Sequence, residues 1–325
     1  MKGRTRHVVR RMAGGFVAVV AIGFFVQRLA VNASGMPHIA WSRASVGVSV
    51  ASVLLALTAI LLTGVVWHVL LNDQQVRHPF AKVQALFLVS QFGKYFPGNI
   101  GQFVGRVVLA RDIGVPVPIT LATMLTEALW SIGTALGISA LSLFLFLGGH
   151  LSTLPRWFDG AGLLVCFAAA IAAPWAGVTL LKRIFPGLVG RLFAGSELRP
   201  PGMAAALRVS TLYVCCYGCM GLILRMQAQV YFGAPAAPLL EVSGFFALAW
   251  LAGYLLPGAP AGIGVRESVL LVLFSPLYGE SAAIALGITL RLTTTAADAL
   301  AFAIGWTWRY MQRRGDCRDQ GDVNE

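Results

Sequence analysis

Apolar residues in this chain come in blocks rather than in alternation. Six blocks carry few charges and are long enough, at about 20 residues per crossing, to traverse a bilayer as helices: 12–31, 46–71, 117–147, 160–181, 204–231 and 281–308. Two further apolar stretches, 79–112 and 242–274, are interrupted near their middles by knots rich in proline and glycine, at 96–101 and 256–262. Neither arm of either stretch is long enough to cross alone. Backbone without helical hydrogen bonds is tolerated at membrane depth only where protein or a wet cavity surrounds it, so both stretches are predicted to be re-entrant hairpins of broken helix. The fold class that follows is all-α: one polytopic membrane helix bundle over residues 1–325, with six full spans and two re-entrant hairpins.

Composition and charge agree with this pattern. Of the 325 residues 57% are apolar and 12% charged, about half the charged share of a soluble domain, which excludes an ordinary soluble enzyme, a disordered chain and a disulfide scaffold. The net charge of +12 is explained by topology. With the N-terminus in the cytoplasm, the predicted inner pieces 1–11, 72–82, 182–203 and 309–325 hold 15 Lys and Arg, and the outer loops 32–45, 148–159 and 232–240 hold two. The positive-inside rule therefore puts both termini inside, and anionic lipid of the inner leaflet, not nucleic acid, is the expected partner of the basic loops. The first block follows the basic residues Lys2, Arg4, Arg6, Arg10 and Arg11 and is longer than a cleaved signal core, so it reads as an uncleaved span. Cys216 and Cys219 have metal-pair spacing but lie mid-block without a second pair or a nearby His, and read as small-residue helix packing. No metal site and no cofactor are expected.

The two broken stretches share a register. Pro97-Gly98, Arg106 and Pro116 recur as Pro257-Gly258, Arg266 and Pro276, all 160 residues on. The layout around them repeats too: span, span, broken hairpin, long span, in 12–147 and again in 160–308, ahead of a basic tail at 309–325. The first hairpin follows a span that ends inside and the second follows one that ends outside. Two similar units of opposite orientation are the pattern of many secondary transporters, whose substrate site lies at the midplane between discontinuous helices.

After each knot the chain resumes as a short arm whose start is predicted to lie near the bilayer centre. A helix N-terminus there presents unpaired N–H groups and the positive end of the dipole to an anion, and Gly98, Gly101, Gly258 and Gly262 let the backbone approach a bulky guest. Lys94 precedes the first knot. Arg106 and Arg266 are expected about six residues along their arms, roughly 9 Å from each tip by helical rise, towards opposite faces. They are read as handing an anionic headgroup between an inner and an outer mouth; the plainer alternative is that they snorkel or neutralise neighbours such as Glu267. The candidate headgroup-binding set is Lys94, Tyr95, Pro97, Gly98, Gly101, Arg106, Pro257, Gly258, Gly262, Gly264, Arg266 and Glu267. Glu127, Arg291 and Asp298 are charges at membrane depth, where such groups face a cavity or a partner. A Glu127–Arg291 contact across the pseudo-two-fold is one pairing; Arg291 and Asp298 are too far apart on one helix to pair directly. A structural ion pair and a transport role are both open for these three.

The run from Gln91 through Gln102, with Gly105-Arg106, resembles the first signature of the lysylphosphatidylglycerol synthase transmembrane-region family, the flippase-like membrane proteins. Leu256-Pro257-Gly258 followed by Gly262-Ile263-Gly264-Val265-Arg266-Glu267 resembles its second, with Ala259-Pro260-Ala261 in place of the usual glycine. The resemblance covers residues 10–312. It implies a multi-pass protein of the bacterial inner membrane that translocates lipids. With about 17 residues after the last predicted span, a stand-alone member without the synthase domain is expected.

The leading functional reading is a lipid translocase that moves an anionic phospholipid, glycolipid or polyprenyl-linked lipid between leaflets without its own ATPase, since no Gly-x-x-x-x-Gly-Lys-Ser/Thr loop is present. The alternatives are a membrane-embedded lipid-modifying enzyme and an accessory subunit that positions a separate lipid synthase or glycosyltransferase. His7, His38, His68, His78 and His150 are scattered over ends and loops, and no catalytic constellation is found, so enzymatic chemistry is not expected.

Overall fold

The computed structural model describes residues 39, 41–95, 101–148, 201–256 and 262–321, with isolated positions between 23 and 31 and between 172 and 190. Among the described residues the fold is all-helical, with no strand. Eight helices follow in chain order: α1 (Arg43–Asp73), α2 (Phe80–Gln91), α3 (Gly101–Asp112), α4 (Val117–Gly148), α5 (Met203–Phe232), α6 (Leu239–Leu255), α7 (Val265–Tyr278) and α8 (Glu280–Gly321). A 3-10 turn, Phe92–Tyr95, continues α2.

Four of these, α1, α4, α5 and α8, are long and apolar enough to cross a membrane. They coincide with the blocks predicted at 46–71, 117–147, 204–231 and 281–308. The other two predicted spans, 12–31 and 160–181, lie largely outside the described residues, as do the knot tips 96–100 and 257–261 with Pro97, Gly98, Pro257 and Gly258. The flanking sequence explains where the elements begin and end. Ser42 starts α1 by accepting the Ser45 N–H on its side-chain oxygen at 3.2 Å. Gly233 stops α5 in the left-handed region at φ 62°, where a side chain would be strained. Val46, Val50 and Leu54 form an exposed stripe at four-residue spacing along α1, an apolar face suited to lipid.

The two interrupted stretches are helix pairs. α2 packs on α3, and α6 packs on α7. Each pair closes through glycine: a Cβ on Gly93 would strike the backbone of Gly101 and Gln102, and a Cβ on Gly253 would lie 3.2 Å from the Gly262 Cα. Gly253 stands 160 residues after Gly93, the offset of the Pro-Gly and Arg matches. The proline match at the same offset does not carry over to structure, because Pro116 immediately precedes α4 whereas Pro276 lies inside α7.

Close packing elsewhere also uses small residues. Gly221 of α5 meets Ser243 of α6, and Gly244 of α6 meets Ser142 of α4, each so closely that a Cβ would overlap the serine. Such contacts bring helix backbones together where lipid supplies no hydrophobic drive. Several polar side chains between helices find partners, as expected away from water. Trp67 donates to Thr123 at 3.1 Å, Trp130 to Ser210 at 3.2 Å, and Gln227 bridges α5 to Thr293 and Thr289 of α8 at 2.9 and 3.0 Å. One apolar core gathers Trp130, Phe245, Phe246 and Phe274; a second, around Trp67 and Phe87, packs beneath the first helix pair.

Candidate functional site

All eight helices contribute to the wall of one cavity of about 260 Å³. Its lining joins both helix pairs to the long helices. Lys94, Tyr95, Gln102 and Arg106 come from the first pair, Gly253, Gly262 and Arg266 from the second, Glu127 from α4, and Arg291 and Asp298 from α8. Charged groups at this density inside an apolar bundle are expensive unless paired or held for a ligand.

Three pairs account for most of them. Arg106, six residues into α3 and only 2% exposed, places Nη1 2.5 Å from Glu127 Oε2. Its guanidinium lies over the Phe87 ring at 4.4 Å and the Trp67 ring at 5.2 Å, so aromatic faces supply part of the stabilisation that water would otherwise give. Asp298 receives two donors from the turn after α2: Lys94 Nζ at 2.6 Å and the Tyr95 hydroxyl at 2.5 Å. Arg291 Nη1 faces Glu267 Oε1 at 3.7 Å. The other Glu267 oxygen accepts the Gly264 N–H at 2.8 Å. That bond caps α7, whose N-cap Gly264 sits at φ 83°, a conformation reserved in practice for glycine.

Arg266 differs from the other three cations. It lines the cavity, yet among the described residues it has no ion pair, and its buried Nε and Nη2 have no hydrogen-bond partner. The undescribed tips 96–100 and 257–261 contain no ionisable side chain.

Several expectations are corrected by this geometry. Arg106 and Arg266 both line the same cavity. They are not equivalent along their arms, since α7 begins only at Val265 and Arg266 is its second residue, whereas Arg106 is the sixth of α3. The difference arises because Glu267 caps the helix at Gly264, which also removes the Gly264 N–H from the amides expected to face a guest. Glu127 pairs with Arg106 and not with Arg291, because α3 packs directly on α4. Arg106 does not snorkel, being fully enclosed. Cys215, Cys216 and Cys219 are free, and Cys216 donates to the Ala59 carbonyl across the α1–α5 contact at 3.5 Å.

An aromatic wall goes beyond the residues picked out in sequence. Tyr213 and Tyr217 of α5 and Trp250 and Tyr254 of α6 line the cavity. Trp250 stacks on Tyr254 at 4.8 Å and meets Tyr217 edge-on at 5.7 Å. Both pairs are spaced by four residues along their helices, a same-face signal that was available in the sequence.

A family model described as the lysylphosphatidylglycerol synthase TM region matches residues 11–301. A comparison with curated proteins finds no match to the chain.

Proposed function

The chain belongs to the lysylphosphatidylglycerol synthase TM-region family, and from that premise we propose that it is a lipid translocase of the bacterial inner membrane, moving an anionic lipid between leaflets without an ATPase of its own. The observation that carries this reading is the cavity ringed by Lys94, Arg106, Arg266 and Arg291 and by aromatic side chains. Cations fixed inside an apolar bundle suit a phosphate headgroup, and aromatic faces suit the apolar and polyol parts beside it. The carboxylates nearby support a carrier over an enzyme. Glu127, Glu267 and Asp298 are each engaged with a cation, which leaves them poorly placed as a general acid and base.

In this reading the two helix pairs are the broken hairpins of an inverted-topology repeat within a six-span bundle. The shared glycine contacts at Gly93 and Gly253 support it, as discontinuous helices meeting around a central site are the common plan of such carriers. Both termini then face the cytoplasm, and a separate lipid synthase or glycosyltransferase supplies the cargo.

The test is reconstitution into liposomes carrying a fluorescent phosphatidylglycerol, with transfer between leaflets read by chemical quenching of the outer leaflet. Wild type is expected to accelerate transfer over protein-free liposomes, and Arg266→Ala to lose most of that acceleration. A wild-type rate equal to that of empty liposomes for anionic and neutral lipids alike would end the translocase reading.

A further inference from the structure

We infer that the cavity selects a headgroup bearing one net negative charge, a phosphodiester monoanion carried on a lipid, with Arg266 as its counter-charge. The identification of the ligand as a lipid rests on the translocase reading; the charge selectivity rests on the side chains themselves.

The argument is a charge balance. Lys94 is matched by Asp298, Arg106 by Glu127 and Arg291 by Glu267. Each pair is neutral as a unit and sits at or beside the cavity wall. Four cations line the cavity against three carboxylates at or beside its wall, and Arg266 is the one of the four that makes no ion pair with a described carboxylate, while the adjoining tips bring no ionisable group. The surplus is one positive charge. A cation withdrawn from water without a partner is strongly unfavourable, and buried donors left open in a native site call for a ligand that completes them.

The open donors also have a shape. Nε and Nη2 form the side edge of the guanidinium, covered by protein in this structure; turned towards the cavity, its parallel N–H groups match two oxygens of one phosphate. A phosphodiester supplies those two oxygens and a single charge. A lipid diphosphate brings more charge than Arg266 alone offsets, so it would have to draw Lys94 or Arg291 away from its carboxylate. A zwitterionic headgroup brings a cation into a wall that already has a positive surplus. The volume of about 260 Å³ lies just below the usual range of ligand pockets, and suits a phosphate with a small polar ester group better than an oligosaccharide.

The experiment is a titration of the purified full-length chain in detergent, read by native mass spectrometry, with four probes: dioleoyl phosphatidylglycerol, dioleoyl phosphatidylcholine, farnesyl diphosphate and water-soluble glycerophosphoglycerol. Wild type is expected to bind phosphatidylglycerol about tenfold more tightly than phosphatidylcholine or farnesyl diphosphate, the order of a charge-assisted hydrogen bond. Arg266→Gln should erase the difference between phosphatidylglycerol and phosphatidylcholine, whereas Arg266→Lys should keep it with weaker binding overall. Asp298→Asn releases Lys94, raises the surplus to two, and should move the preference to farnesyl diphosphate. This variant tests the balance even if Arg266→Gln fails to fold. Equal binding of phosphatidylglycerol and phosphatidylcholine by wild type, tighter binding of the diphosphate, or an unchanged preference in Arg266→Gln overturns the inference. Binding of glycerophosphoglycerol without the diacyl lipid overturns its lipid part. Selective binding without transfer in liposomes would sink the carrier reading and leave the charge selectivity standing.

Discussion

Arg106 has the environment of a structural residue as much as that of a ligand-binding one. It is enclosed by Glu127, Phe87 and Trp67, and removing one partner of a buried ion pair leaves an uncompensated charge. Glu127→Ala is therefore expected to destabilise the protein by about 3–5 kcal/mol, read as a lower thermal midpoint in detergent. The paired replacement Arg106→Met with Glu127→Leu should recover most of that loss, because apolar groups of similar volume often substitute for a buried pair without cost. A double variant no more stable than Glu127→Ala would show that the pair contributes something other than charge compensation. At this scale the sequence identified the charged participants well, since an ionisable residue inside an apolar block stands out. Their pairing was not legible. Whether Glu127 meets Arg106 or Arg291 depends on how α3 and α8 are rotated against α4, and no local pattern encodes that rotation.

The helices show the same division. α1, α4, α5 and α8 were readable because a continuous apolar block must satisfy its backbone internally. The start of α7 was not, because it depends on one side chain reaching back three residues: Glu267 accepting from Gly264. Glutamine can still accept that N–H while giving up the charge, and alanine can do neither. Glu267→Ala is expected to be less stable than Glu267→Gln by about 1 kcal/mol, the usual worth of a cap, with thermal melts of the two variants as the measure. Equal melts would mean that the cap contributes nothing. The glycine closures make a second prediction at this scale. A valine at Gly93 or Gly253 would press on backbone with no flexible side chain to yield, so each should cost about 1–3 kcal/mol and reduce transport more than a valine at Gly47, where a Cβ meets nothing within 4 Å. Comparable loss at Gly47 would show that the effect is not one of hairpin closure.

For the whole molecule, the proposed arrangement makes a prediction about sidedness. If the helix pairs are inverted copies, cysteines placed at Asn99 and Ala259 in a background without native cysteines should react with membrane-impermeant maleimide from opposite faces. A C-terminal green fluorescent protein fusion should fluoresce, and the corresponding alkaline phosphatase fusion should be inactive, as a cytoplasmic terminus requires. Labelling of both cysteines from one face would rule out the inverted repeat. The 160-residue register was visible in the sequence through Pro-Gly and Arg, yet it overstated the symmetry. Pro276 is swallowed by α7 and Arg266 sits at a helix start, so two stretches that share Pro-Gly and Arg at one offset hold their arginines differently, one in an ion pair and one without.

α8 runs for 42 residues, about 63 Å at 1.5 Å per residue, against a hydrocarbon layer of about 30 Å. Near the point where it meets the end of α3, Arg309 is clamped to Asp112 at 3.0 Å, and twelve more helical residues follow to Gly321. The rod that carries Arg291 and Asp298 into the cavity thus ends as a rigid post of about 18 Å beyond that clamp. A rotation of the post about the helix axis would therefore turn both charges together, tying the state of the chamber to an element that ends well outside it.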